Sequence, residues 1–162
     1  MKRITLLSLV AAGCLTAALV VKAVPPAPGP QILEFSTMVP VSGPFLGTTN
    51  PIRGISGGGA AWHITEGRGE LRSDGKIEVD VRGLVLASSL SNPVPNFRAV
   101  VNCQSIDGTG APSIVNVSTD DFPASSTGDA VIEDTVELPQ PCIAPIVFVT
   151  TSTLRWLAVT GH

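Results

Sequence analysis

Residues 76–82 alternate strictly: Ile77, Val79 and Val81 fall on one side, and Lys76, Glu78, Asp80 and Arg82 on the other. This is the period of two expected of a strand with one dry and one wet face. Ser73-Asp74-Gly75 just before it supplies turn chemistry, since Gly75 tolerates the positive φ of a tight hairpin, and predicts pairing with residues 68–72. Further on, Phe97, Ala99, Val101 and Cys103 share one face of a strand that turns through Asp107-Gly108-Thr109-Gly110 into residues 113–118. A long strand over 128–138 turns Ala130, Ile132, Val136 and Leu138 inward, with Asp134 interrupting that face. Pro139-Gln140-Pro141 ends it, and strands follow at 146–151 and 154–160; earlier candidates lie at 31–38 and 60–65.

These apolar stretches are short, rich in β-branched residues and bounded by Gly, Pro, Asn or Asp, and no helix is expected among them. About nine short strands at regular spacing predict an all-β chain, an antiparallel β-sandwich of immunoglobulin-like outline, with a small β-barrel as the alternative.

The N-terminus follows a different pattern. Met1-Lys2-Arg3 precedes an apolar run over 4–21, and small residues flank Lys22 at the positions a signal peptidase reads. A secretory signal peptide over 1–23, cleaved after Ala23, is the expectation. The alternatives are lipidation at Cys14, within Ala11-Ala12-Gly13-Cys14, and an uncleaved anchor over 4–21. Residues 24–31 form a proline-rich linker, and residues 32–162 a single domain.

Cleavage changes the charge. Of ten basic residues Lys2, Arg3 and Lys22 are removed, leaving seven against thirteen acidic ones, a formal −6. Nucleic acid is excluded as a partner, because phosphate recognition needs clustered Lys and Arg. Discarding Cys14 leaves Cys103 and Cys142, an even pair expected to form a disulfide in an oxidising compartment.

The candidate chemistry is sparse. Gly54-Ile55-Ser56-Gly57-Gly58 matches the G-x-S-x-G pattern of serine hydrolases. The chain after Ser56 reads as glycine loop and strand rather than helix, and the order Ser, Asp, His is completed only by the terminal His162. A flexible glycine-rich loop is therefore expected there. His63 alternates with Trp62 and Ile64 and should face away from them, toward solvent or a loop. Asp107, Asp120, Asp121 and Asp129 gather in or near loops, where carboxylates can hold calcium, but no EF-hand spacing is present and Asp is an ordinary turn residue. Trp62 and Trp156 lie in apolar alternation and are expected in the core rather than on a sugar platform. Asn116-Val117-Ser118 matches a glycosylation sequon.

Ala61-Trp62-His63-Ile64, Ser73-Asp74-Gly75-Lys76, Arg82-Gly83-Leu84-Val85 and Asn92-Pro93-Val94-Pro95 precede Phe97-Arg98-Ala99-Val100-Val101 and Cys103. With Phe122-Pro123-Ala124, Gly128-Asp129-Ala130, Leu138-Pro139, Cys142-Ile143-Ala144-Pro145 and Val147-Phe148-Val149 they cover most of the chain from about residue 60. In these segments the sequence resembles a group of secreted bacterial β-sandwich proteins without an established function. The resemblance carries over no catalytic or ligand residue.

The functional expectation is a secreted or cell-envelope binding module, non-catalytic and without a cofactor, contacting another envelope or extracellular component through loops that include Asp107, Asp120, Asp121, Ser56 and His63. The membrane would enter only through an uncleaved anchor or lipidation. A small secreted hydrolase using Ser56 and a calcium-stabilised adhesion-like module are the alternatives.

Overall fold

Lys76–Arg82 forms a strand whose buried positions are Ile77, Val79 and Val81, each without exposed surface. In the computed structural model, residues 27–161 are described; the expected signal segment, Cys14, the start of the linker and His162 lie outside them. In chain order the strands are β1 (Gln31–Phe35), β2 (Met38–Pro40), β3 (Trp62–His63), β4 (Glu66–Arg72), β5 (Lys76–Arg82) and β6 (Val85–Leu86). They continue with β7 (Asn96–Ile106), β8 (Pro112–Ser118), β9 (Phe122–Pro123), β10 (Ala130–Thr135), β11 (Ile143–Thr150) and β12 (Trp156–Thr160). Among the described residues the one helical turn is a short 3-10 segment at Gly43–Phe45.

Two antiparallel sheets form a sandwich. One runs β1-β4-β5-β10, and the other β2-β12-β11-β7-β8, with β9 continuing along β7 beyond the end of β8. Neither sheet closes into a barrel. Leu71, Ile77, Val79, Val81 and Ile132 from the first sheet join Phe97, Ala99, Val101, Val147 and Val149 from the second in one core, where apolar burial is the main driving force. β4 and β5 form a hairpin within the first sheet, and β1 pairs with the other side of β4.

The single strand expected over 31–38 is split between the sheets. Phe35 and Met38 are both buried, and residues three apart cannot share one face of a strand of period two. The chain therefore changes sheets at Ser36-Thr37.

Asp134, which interrupts the apolar face of β10, is explained by a hydrogen bond between the sheets. Its carboxylate accepts from the Asp120 amide at 3.0 Å, at the irregularity where β8 gives way to β9. At that bulge the buried Thr119 hydroxyl accepts from the Ala99 amide at 3.1 Å, while the Thr119 amide donates to the Ala99 carbonyl at 3.0 Å. The extra residue thus leaves no buried backbone donor unpaired at Ala99. Cys103 and Cys142 form the expected disulfide, tying β7 to the segment that enters β11.

Candidate functional site

Ser56 lies in an extended segment laid beside the start of β12. Its carbonyl accepts from the Trp156 amide at 3.0 Å, and the Gly58 amide donates to the Trp156 carbonyl at 2.9 Å. Gly57 and Gly58 are buried. The glycine run is a packed backbone element, because a side chain at Gly57 would overlap the Phe45 carbonyl and one at Gly58 would crowd Leu157 of β12, and it is not the loose loop expected from composition. No helix follows Ser56, and among the described residues no hydrogen bond joins its hydroxyl to a histidine or a carboxylate. His63 is exposed on β3, while Trp62 and Trp156 are buried at 6% and 2% relative exposure. Trp62 packs edge-on against Phe97.

The loop carboxylates are dispersed. Asp107 precedes β8, whereas Asp120 and Asp121 follow it, so they stand at opposite ends of a strand about 20 Å long. Asp107 closes its own turn, accepting from the Thr109 hydroxyl at 2.6 Å, the Thr109 amide at 2.8 Å and the Ala111 amide at 3.0 Å. The Thr109 hydroxyl, then the Ala111 and Thr109 amides, hold its pKa below the ordinary carboxylate value. Asp129 does the same for the Gly83 amide at 2.9 Å and the Thr127 hydroxyl at 2.8 Å, and its pKa is lowered chiefly by these bonds. Asp121 pairs with Arg98 at 2.9 Å. Among the described residues no three metal-ligating side chains come together.

A second feature emerges only from register. Glu34, Glu70, Glu78 and Glu133 stand directly opposite one another across all four strands of the first sheet, on its outer face. Glu34, Glu70 and Glu78 border a groove of about 320 Å³ lined also by Phe35, Arg68, Gly69 and Asp80. Arg72 and Lys76 pair with Glu70 and Glu133, so neighbouring cations offset the row of like charges.

The outer face of the second sheet is built differently. Phe148 and Trp156 pack with ring centres 6.1 Å apart, and Phe45, from the crossing loop between β2 and β3, lies 6.3 Å from Trp156. The same loop presents Arg53, a non-glycine residue at φ +46°. Its Nη1 donates to Asn102 Oδ1 at 3.1 Å and to the Ala144 carbonyl at 2.8 Å. Asn102 has no exposed surface, and its amide nitrogen donates to the Asn116 side-chain oxygen and, at 3.4 Å, to the Arg53 carbonyl. Beside this network Ile143 and Ile114 flank Gln104 in one row across β11, β7 and β8, each about half exposed.

The four sheet edges are unequal. β1 carries Glu34 and a register irregularity; β2 is three residues long and ends in Pro40; β10 carries Glu133 and Asp134. β8 has seven residues in continuous register with β7, no charge, and proline only at its first position. Shortness, charge, bulges and proline are the usual guards against unwanted strand pairing, and β8 has almost none of them.

Neither the edge nor the network around Asn102 was evident from alternation. Edges are defined by long-range pairing, and the one local sign was a polar Asn102 within Val100-Val101-Asn102-Cys103. No family model, curated protein or solved structure matches the chain.

Proposed function

We propose that this chain is a non-catalytic extracytoplasmic binding module, whose contact surface is the β8 edge with the adjoining outer face of the six-stranded sheet. The observation that carries this reading is the contrast between one long, regular, uncharged edge and three guarded ones. An unpaired row of N–H and C=O groups templates an added strand: main-chain hydrogen bonds supply affinity, and side chains on alternate faces supply specificity. The occupant proposed is an extended segment of an envelope or extracellular protein. This moves the contact away from the loops at Asp107, Asp121 and Ser56, whose polar groups are engaged in holding turns, an ion pair and the packing beside β12.

The Cys103–Cys142 disulfide supports an oxidising compartment, as does the signal-like sequence over 1–23. Among the described residues no helix is long and apolar enough to cross a membrane.

The test compares wild-type mature protein with Ile114→Lys in crosslinked pull-downs from the native envelope and culture medium. Ile114 is exposed on β8, so lysine there guards the edge without entering the core. A saturable partner captured by the wild type and lost in Ile114→Lys supports the reading. Identical capture by both proteins overturns the edge as the contact, and ester turnover abolished by Ser56→Ala overturns the non-catalytic assignment.

A further inference from the structure

We infer that Arg53 and Asn116 form a binding site for a carboxylate carried on an aliphatic chain, with Ile143 and Ile114, either side of Gln104, as its aliphatic surface. The inference rests on the binding-module reading, but not on β8 accepting a strand.

The argument begins with the direction of the hydrogen bonds. A guanidinium can only donate, so the atom of Asn102 that faces Arg53 Nη1 must be its oxygen. That fixes the Asn102 nitrogen as the atom facing Asn116, and the atom of Asn116 that receives it must be oxygen. The Asn116 amide nitrogen is thereby left as an outward donor. At the other end of the chain, Nε and Nη2 of Arg53 have no partner among the described residues. Each side-chain oxygen of Asn102 and Asn116 accepts from within the network, while the groups left without a partner on Arg53 and Asn116 are N–H donors. Such groups bind acceptors.

The second observation concerns charge. Arg68, Arg72, Lys76, Arg82 and Arg98 each have a carboxylate within ion-pair distance. Among the described residues Arg53 and Arg155 have none, although acidic residues outnumber basic ones in this chain. Arg155 is exposed, whereas Arg53 is half-buried. Arg53 is aimed by two hydrogen bonds, one to a fully buried asparagine and one to the carbonyl of Ala144, itself a non-glycine residue at φ +45°. Two residues in a sparsely populated backbone region therefore meet at this network, and its cost is met by surrounding packing. A held guanidinium fork with free donors matches the two oxygens of a carboxylate.

The third observation sets the rest of the ligand. Ile114 and Ile143 are 47% and 50% exposed, and Gln104 between them lies two residues from Asn102 on the same face of β7. Aliphatic surface next to paired donors selects an apolar chain ending in a carboxylate rather than a free inorganic anion.

The probe is hexanoate, titrated into isotopically labelled mature protein while the Arg53 Nε–H and Asn116 side-chain amide signals are followed by NMR, with hexanol and inorganic phosphate as controls. Saturable shifts at both groups are expected with hexanoate, at least tenfold weaker with either control. Arg53→Gln should weaken hexanoate at least tenfold, and Arg155→Gln should leave it unchanged. Asn116→Asp is the decisive variant, because it keeps the oxygen that Asn102 needs and turns the outward donor into a negatively charged acceptor. It should abolish hexanoate binding with the fold intact, as judged from the amide spectrum. Equal responses to hexanol or phosphate, or hexanoate binding that survives Asn116→Asp, would overturn the inference. Loss of the protein partner in Ile114→Lys alongside such a failure would leave the binding-module reading standing. Hexanoate binding with unchanged partner capture would instead remove the β8 edge and keep this site.

Discussion

Gly57 faces the carbonyl oxygen of Phe45 so closely that a Cβ added at 57 would overlap it, and would also meet the Val41 Cγ2 methyl at 2.9 Å. Glycine at 57, the variable position after Ser56 in the G-x-S-x-G match, is thus required by packing against Phe45 and Val41. Gly57→Ala should destabilise the protein by about 2 kcal/mol or more, because backbone must move to admit the methyl. Gly59→Ala, where nothing lies within 4 Å of the added atom, should cost well under that. Urea denaturation of the two variants checks the contrast, and equal midpoints would reject the packing role.

The Thr119 hydroxyl is a backbone substitute at the β8–β9 bulge. Thr119→Val keeps the shape but leaves the buried Ala99 amide without this acceptor, at an expected cost of about 1–3 kcal/mol. Thr119→Ser retains the hydroxyl and should lose less. Chemical denaturation of both variants reads the difference; a valine variant as stable as the serine one would show that the hydroxyl contributes nothing.

The disulfide spans 39 positions. Cross-linking a loop of that length is worth about 4 kcal/mol in the chain-entropy model, so the Cys103→Ser, Cys142→Ser double variant should melt markedly lower than the oxidised protein. Wild-type protein melted in reductant should approach the variant. A melting temperature indifferent to reductant would mean that the bridge constrains little.

Acid should destabilise the fold through specific carboxylates. The pKa of Asp74 is lowered chiefly by the Gly29 amide, that of Asp107 by the Thr109 hydroxyl, and that of Asp129 by the Gly83 amide. At Asp80 burial acts to raise the value, but hydrogen bonds from Arg82 and Arg68 outweigh it, and the net shift is downward. A folded-state pKa below the unfolded value of about 4 gives stabilisation that is complete above that value. It is lost as pH falls through the folded-state values. Melting temperature should therefore drop below about pH 4, and Asp129→Asn should lower it at neutral pH while flattening the acid loss. A melting temperature constant to about pH 2 would refute the linkage.

Strand content was legible wherever one face was dry and the other wet. Ile77, Val79 and Val81 in β5 and the hairpin at Gly75 needed nothing beyond local alternation and turn chemistry. The split between Phe35 and Met38 was hidden because 31–38 is apolar enough to pass as one strand, and only the two opposing sheets decide which residues are buried. The edge position of β8 was hidden for a related reason: a strand's partners are chosen by segments far away in sequence. The proposed ligand site was the least legible part. Arg53 and Asn102 are 49 residues apart, and no spacing rule relates them before the crossing loop folds over the sheet.

β2 pairs with β12, setting Met38 against Thr160 and Pro40 against Ala158. The edge of the six-stranded sheet next to β2 is therefore completed by nearly the first and nearly the last strand residues of the described chain. Until Thr160 is in place β2 has no partner in this sheet, and the edge cannot be finished. Finishing this edge therefore waits on the closing of a long loop, whereas the β4–β5 hairpin pairs residues close in sequence.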